Sequence, residues 1–213
     1  MFDHSMLWEF LRKFLHLSGL LILLTYTVLQ HYFGHKVAIL GLTLILLVLL
    51  QIDYWRVEHQ PKVARMLEGL FREKEQDHLN GAVFFLISCV ICFSAFDYWV
   101  AVLAMGVTVF GDLFSALFGK IFGESRVFEN RSKTYVGTVA GLAANVAFGL
   151  WVLEELPYLA LLMALVASIV ELFTHKLDDN LTVPLFAGFA GQLMVYYSGY
   201  QLPEVSLWWL GIF

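Results

Sequence analysis

Residues Gly111 to Thr138, GDLFSALFGKIFGESRVFENRSKTYVGT, set a carboxylate inside an apolar segment and follow it with a basic, polar loop. An ionisable side chain at membrane depth is expensive and by default marks a functional site. Asp112 comes after the nearly unbroken apolar run from Tyr98 to Phe110, and Lys120 follows about two turns later, where that helix should leave the lipid. A second carboxylate, Glu171, interrupts the apolar stretch ALVASIVELFTH. Counting back from the expected span ends at 1.5 Å per residue, Asp112 lies about 9 Å and Glu171 about 8 Å from the inner boundary, so the two share one depth. Asp178 is seven residues beyond Glu171 and would lie on the same face if the helix ran that far. It reads as a solvated helix end, with Asp179 and Asn180 clustering beside it. Lys120, Arg126, Arg131, Ser132 and Lys133 should face these acids, giving a pocket that is acidic below and basic at its rim.

Such a pocket suits a polyphosphate carried with a divalent cation. Mg²⁺ keeps several waters and takes one or two carboxylates plus phosphate oxygens, while Lys and Arg neutralise phosphate charge as it moves during transfer. Gly111, Gly119, Gly123 and Gly137 permit close backbone approach. Gly137 and Thr138 open the next span, and their amides form a helix N-terminus able to receive a phosphate. A hydroxyl arriving from the lipid would lose its proton to a carboxylate at shallow depth. Simpler roles stand beside each assignment. Asp112 could be a packing contact for Asn145, the basic residues could be topogenic charges, and Ser132 could cap a helix. His31, His35 and His175 show no metal-ligand spacing, and Cys89 with Cys92 reads as a pair of small packing residues.

The elements that must position these groups are membrane helices. The chain is 60% hydrophobic and only 15% charged, with a mean hydropathy of +0.74, values foreign to soluble domains. Apolar runs long enough to span, or nearly so, occur at 14–33, 37–53, 81–96, 99–118, 136–153, 157–175 and 182–199. The expected fold is therefore all-α: a polytopic transmembrane helix bundle of about seven spans, in a single domain covering residues 1–213. Placing the N-terminus in the cytoplasm puts every one of the 13 basic residues inside except Lys36, as the positive-inside rule requires. The first apolar run, entered through Arg12, Lys13 and His16, reads as a retained helix rather than a signal peptide. Residues 56–80 carry Val63, Met66, Leu67, Leu70 and Phe71 at helical spacing and should form an amphipathic connector on the cytoplasmic surface. The tail EVSLWWLGIF reads as an interfacial anchor.

At these positions the chain resembles the dolichol kinase and phytol kinase family of polyprenol and diacylglycerol kinases. The resemblance rests on Arg12, Lys13 and His16 in RKFLHLSG, and on Gly111, Asp112, Ala116, Gly119, Lys120 and Gly123. It continues through Ser132, Lys133, Gly137 and Thr138, then Glu171, and then Asp179, Asn180 and Pro184. Ser115 departs from the family pattern, which more often has Ala there. The resemblance implies an integral membrane kinase that phosphorylates a long-chain lipid alcohol, with a divalent metal and with CTP rather than ATP as donor. No residue here reads cytosine by spacing, and there is no G-x-x-x-x-G-K-[ST] loop.

Taken together, Asp112, Lys120 and Glu171 are the expected catalytic residues. Arg12, Lys13, His16, Gly119, Lys120, Gly123, Arg131, Ser132, Lys133, Gly137, Thr138 and Asn180 are the expected nucleotide or phosphate contacts, and Asp112, Glu171 and Asp179 the expected metal ligands. The phosphate-binding loop spans about 119–138. Expected partners are a nucleoside triphosphate, a lipid alcohol and membrane lipid, not nucleic acid; a homo-oligomer is compatible with the sequence. Dolichol, undecaprenol, phytol, geranylgeraniol and diacylglycerol fit an apolar groove about equally. A phosphatidate cytidylyltransferase is the nearest rival enzyme, although the acids here are not concentrated in one C-terminal signature. An ion-coupled transporter is the non-enzymatic alternative, but its polar groups should spread across the midplane.

Overall fold

The structure, a computed structural model, describes residues 17–59, 78–127, 133–175 and 177–203. Arg12, Lys13, His16, Arg131 and Ser132, the tail after Pro203 and most of the expected amphipathic connector lie outside the described residues. Those described form seven α-helices: α1 Gly19–Phe33, α2 His35–His59, α3 Gly81–Ala95, α4 Tyr98–Phe122, α5 Tyr135–Val152, α6 Pro157–Phe173 and α7 Asp179–Ser198. Among them there is no strand, only an isolated antiparallel bridge between Arg126 and Thr134. Each expected span coincides with a helix. By length and composition α2, α4 and α5 can cross a membrane, and α1, α3 and α6 are shorter apolar helices. The all-α membrane bundle read from the sequence is the fold observed.

The chain divides into two compact units, Met1–Val90 and Ile91–Phe213, with the division inside α3. In the first, α1 turns into α2 at Gly34, whose φ of 84° is left-handed and natural only for glycine. Tyr26 closes the turn by hydrogen-bonding His35 Nδ1 at 2.9 Å. The outward face of α2 leaves Leu40, Leu44, Leu47 and Ile52 exposed, an apolar stripe suited to lipid rather than water. At the other end of α2, Asp53 is buried. Its Oδ1 accepts from Arg56 Nε at 2.6 Å and Asn80 Nδ2 at 3.1 Å, and its Oδ2 from Asn80 N at 2.9 Å. Asn80 Oδ1 in turn accepts from Val83 N at 3.1 Å and so caps α3.

The second unit is organised by α4, which is apolar on every side and buried without a break from Trp99 to Val109, as expected of a central helix. It packs against α5, α6 and α7. Its contact with α5 is a seam of mostly small residues repeating every fourth position: Gly111, Ser115 and Gly119 on α4, continued by its C-cap Gly123, and Gly137, Gly141 and Asn145 on α5. This spacing lets membrane helices touch through their backbones. A β-carbon on Gly137 would lie 2.5 Å from the Ser115 carbonyl oxygen, and one on Gly141 3.1 Å from that of Gly111.

Several helix ends differ from the apolar runs, and α2 continues to His59, beyond the expected 53. α4 continues to Phe122, beyond the expected 118, and α6 stops at Phe173 rather than 175. Thr174 leaves the helix with extended geometry, so Glu171 and Asp178 do not share a helix face. Cys89 and Cys92 are fully buried and reduced, in keeping with packing roles.

Candidate active site

Glu171 stands in the last turn of α6, facing α4 and the segment that leads into α5. Ser115 Oγ donates to its Oε1 at 2.9 Å. Lys133 Nζ lies 3.8 Å from the same oxygen and donates a hydrogen bond to the Glu171 backbone carbonyl, a favourable place for a cation because the carbonyl end of a helix carries partial negative charge. Both side chains remain partly open, 26% for Lys133 and 14% for Glu171. Asp112 on α4 and Asp179 at the start of α7 are near enough for their charges to act on the Glu171 carboxyl. Glu171 thus holds the lysine while two further acids, from two other helices, stand within range of its charge.

The two acids stand at other distances from their helix ends than expected. Asp112 is ten residues, about 15 Å, from the end of α4, and Glu171 only two residues, about 3 Å, from the end of α6. Beneath them, Asn145 is fully buried and donates from Nδ2 to Ser168 Oγ at 3.3 Å, one turn before Glu171. Its side chain occupies the space left by Gly111, where a β-carbon would lie 2.8 Å from Asn145 Nδ2.

Lys133 is placed by the ends of its loop. Val127 N donates to Lys133 O at 2.9 Å and Tyr135 N to Ser125 O at 3.2 Å, an antiparallel pairing around the Arg126–Thr134 bridge. Thr134 then caps α5: its Oγ1 accepts from Gly137 N at 3.1 Å, and its carbonyl from Thr138 N at 3.0 Å. The Gly137 amide is therefore engaged by a hydroxyl of its own chain. Gly119 and Gly123 make room for that hydroxyl, since a β-carbon on Gly119 would lie 2.9 Å from it. Lys120 is exposed in the last turn of α4, and Arg126 is exposed beside the bridge.

At the start of α7, Asp178 is buried rather than solvated. It is the N-cap, its Oδ1 accepting from Asn180 N at 3.0 Å and from Asn180 Nδ2 at 2.9 Å. A capping carboxylate is held over the first-turn amides, which is why this residue turns inward. Asn180 is buried with it. No three of the described His, Cys, Asp and Glu side chains are arranged as a preformed metal cage. Carboxylate oxygens are nonetheless hard donors of the kind Mg²⁺ accepts, and Mg²⁺ draws its other ligands from water and phosphate.

Four contributors escaped the motif reading. Ser115 counted only as a small residue, and Thr134 and Asp178 act through capping signals, a hydroxyl or carboxylate just before an apolar helix. The fourth, Asn145, lies on the four-residue repeat of small positions along α5.

A family model described as the cytidylyltransferase family matches residues 2–178. Among curated proteins, the chain is 26% identical over 153 residues to "Phytol kinase 1, chloroplastic" of Arabidopsis thaliana, covering 62% of this chain and 49% of that protein. It is 25% identical over 138 residues to "Probable phytol kinase, chloroplastic" of Triticum aestivum, covering 56% and 46%. The corresponding protein of Zea mays is 26% identical over 141 residues, again covering 56% and 46%. The chain spans about half the length of these relatives. No solved structure matches. The chain belongs to the cytidylyltransferase family, and the curated relatives it matches carry the name phytol kinase, in keeping with the motif resemblance.

Proposed function

We propose that the protein is a membrane lipid-alcohol kinase, transferring the terminal phosphoryl group of a nucleoside triphosphate, CTP in the family resemblance, to a polyprenol, a phytol-like alcohol or diacylglycerol. The observation that supports this reading is the engagement of Glu171 by Ser115 and Lys133 at the end of an apolar helix, with Asp112 and Asp179 within range of its charge. There a soluble phosphate donor and a lipid hydroxyl can reach the same groups. The acceptor oxygen forms a bond to the terminal phosphorus, the bond to the bridging oxygen breaks, and the nucleoside diphosphate leaves. Asp112 or Glu171 accepts the hydroxyl proton. Lys120 and Lys133, with Arg12, Lys13, His16, Arg131, Ser132 and the backbone around Gly119 and Gly123, hold phosphate charge; Asn180 orders the start of α7. A divalent cation held by Asp112, Glu171 or Asp179 would neutralise charge on the phosphates. The concentration of basic residues on one side of the spans supports a cytoplasmic site in an integral membrane protein.

The family's own description favours a second reading, a cytidylyltransferase acting on phosphatidic acid and releasing pyrophosphate. Purified protein supplied with γ-labelled CTP or ATP, Mg²⁺ and a panel of phytol, polyprenols and diacylglycerol separates the two. Label in a lipid phosphate is the expected outcome. CDP-lipid from α-labelled CTP and phosphatidic acid, without such transfer, establishes the second reading, and silence in both assays points to transport.

A further inference from the structure

We propose that Ser115 is a positioning residue that aims the Glu171 carboxyl, a role that rests on the kinase reading. Ser115 lies midway along the α4 seam between Gly111 and Gly119, where any small residue would satisfy packing: a β-carbon on Gly141 would already lie 3.1 Å from Ser115 Cβ. Packing therefore accounts for its size but not for its hydroxyl. A serine on a membrane helix ordinarily bonds back to a carbonyl of its own helix, and Ser115 Oγ does lie 3.3 Å from Asp112 O. Its shorter contact, at 2.9 Å, instead crosses to Glu171 Oε1. Lys133 approaches that same oxygen at 3.8 Å. One oxygen of the carboxyl, Oε1, is thus held by a hydroxyl from α4 and approached by a cation from the loop. Glutamate has three side-chain torsions, and a carboxylate that accepts a proton or meets a phosphate must present one oxygen in one direction. The hydroxyl supplies that direction at a position where alanine would pack equally well.

The test uses wild type, Ser115→Ala, Ser115→Gly, Glu171→Asp and the Ser115→Ala/Glu171→Asp double variant, purified into lipid nanodiscs. Label transfer is measured with saturating lipid alcohol. Isotope-edited infrared spectra follow the Glu171 carboxyl band, identified by its loss in Glu171→Gln. Ser115→Ala adds no atom to the seam and Ser115→Gly matches its neighbours there, so between them a folded variant is secured. Loss of a hydrogen bond to a charged group should lower kcat about ten-fold. The apparent nucleotide KM should stay within about two-fold, and the carboxyl band should shift. In Glu171→Asp the shorter side chain withdraws from Ser115, so adding Ser115→Ala should change kcat by less than about two-fold. Multiplying effects in the double variant overturn the proposal, as does an unmoved band, or a moved band with wild-type kcat. If the wild type transfers no label to any lipid alcohol, the kinase reading falls. A shifted band then still supports the orienting contact, and an unmoved one removes both.

Discussion

Asp53 and Glu171 are both carboxylates set near the C-terminal end of an apolar helix, yet their surroundings are opposite in kind. The Asp53 side chain is 1% exposed and both of its oxygens accept hydrogen bonds, from Arg56 and from the backbone and side chain of Asn80. Glu171 is 14% exposed, has a single hydroxyl donor on one oxygen and a lysine at longer range, and sits among two further acids. A buried carboxylate with both oxygens engaged has little capacity left for a ligand and fixes backbone, since buried polar networks rigidify when their members are satisfied. A partly exposed acid among like charges suits chemistry and contributes little to folding. The contrast assigns one group to architecture and the other to reaction.

Breaking the reactive side should give the larger effect. Glu171→Gln keeps shape and volume, and is expected to lower phosphoryl transfer about 10³-fold or more, equivalent to about 4 kcal/mol in the barrier. Its thermal unfolding in detergent should stay close to wild type, and a large loss of stability with activity retained per folded molecule would reverse the two roles. Asp53→Ala should do the opposite. Removing one member of a buried ionic network typically costs about 3 kcal/mol, so yield and unfolding temperature should fall while the folded fraction, measured by active-site titration, keeps its turnover. The smallest effect is expected at Thr134→Ala, where loss of the α5 cap should cost about 1 kcal/mol. Because Thr134 adjoins Lys133, steady-state kinetics of that variant sharpen the comparison: a KM rise for the nucleotide would mean that the cap also sets the loop, whereas a stability change alone would leave it with Asp53.

Much of this contrast was legible in sequence on its reactive side and little on its architectural side. Asp112 and Glu171 stand out because a charge in an apolar run is conspicuous, and Lys133 follows as the nearest cation to a helix entry. The spans emerge for the same reason, through composition alone. Asp53 was hidden because its partner, Asn80, lies 27 residues away across a connector, and pairing at that distance leaves no local pattern. Asp178 was read as a solvated helix end, on the Glu171 face only if α6 ran five residues past Phe173, although an acid before an apolar helix is an ordinary capping signal. The phosphate-cradle reading of Gly137 treated its amide as open, because the hydroxyl that engages it, three residues earlier, is visible only once the helix start is fixed.

The seam between α4 and α5 has a further consequence in conformational entropy. Glycine gives up no rotamer freedom when it is packed, and serine very little, whereas leucine or methionine at the same crossing would surrender considerably more. The two helices therefore approach closely without many side chains being ordered at their contact, and no rotamer change there can alter their spacing. The distance from Ser115 to the loop and to α6 is inherited from backbone against backbone. Lipid-facing residues on the far sides of these helices, Phe118 and Val139 among them, are thereby free to vary with the membrane while the separation of the reacting groups stays fixed.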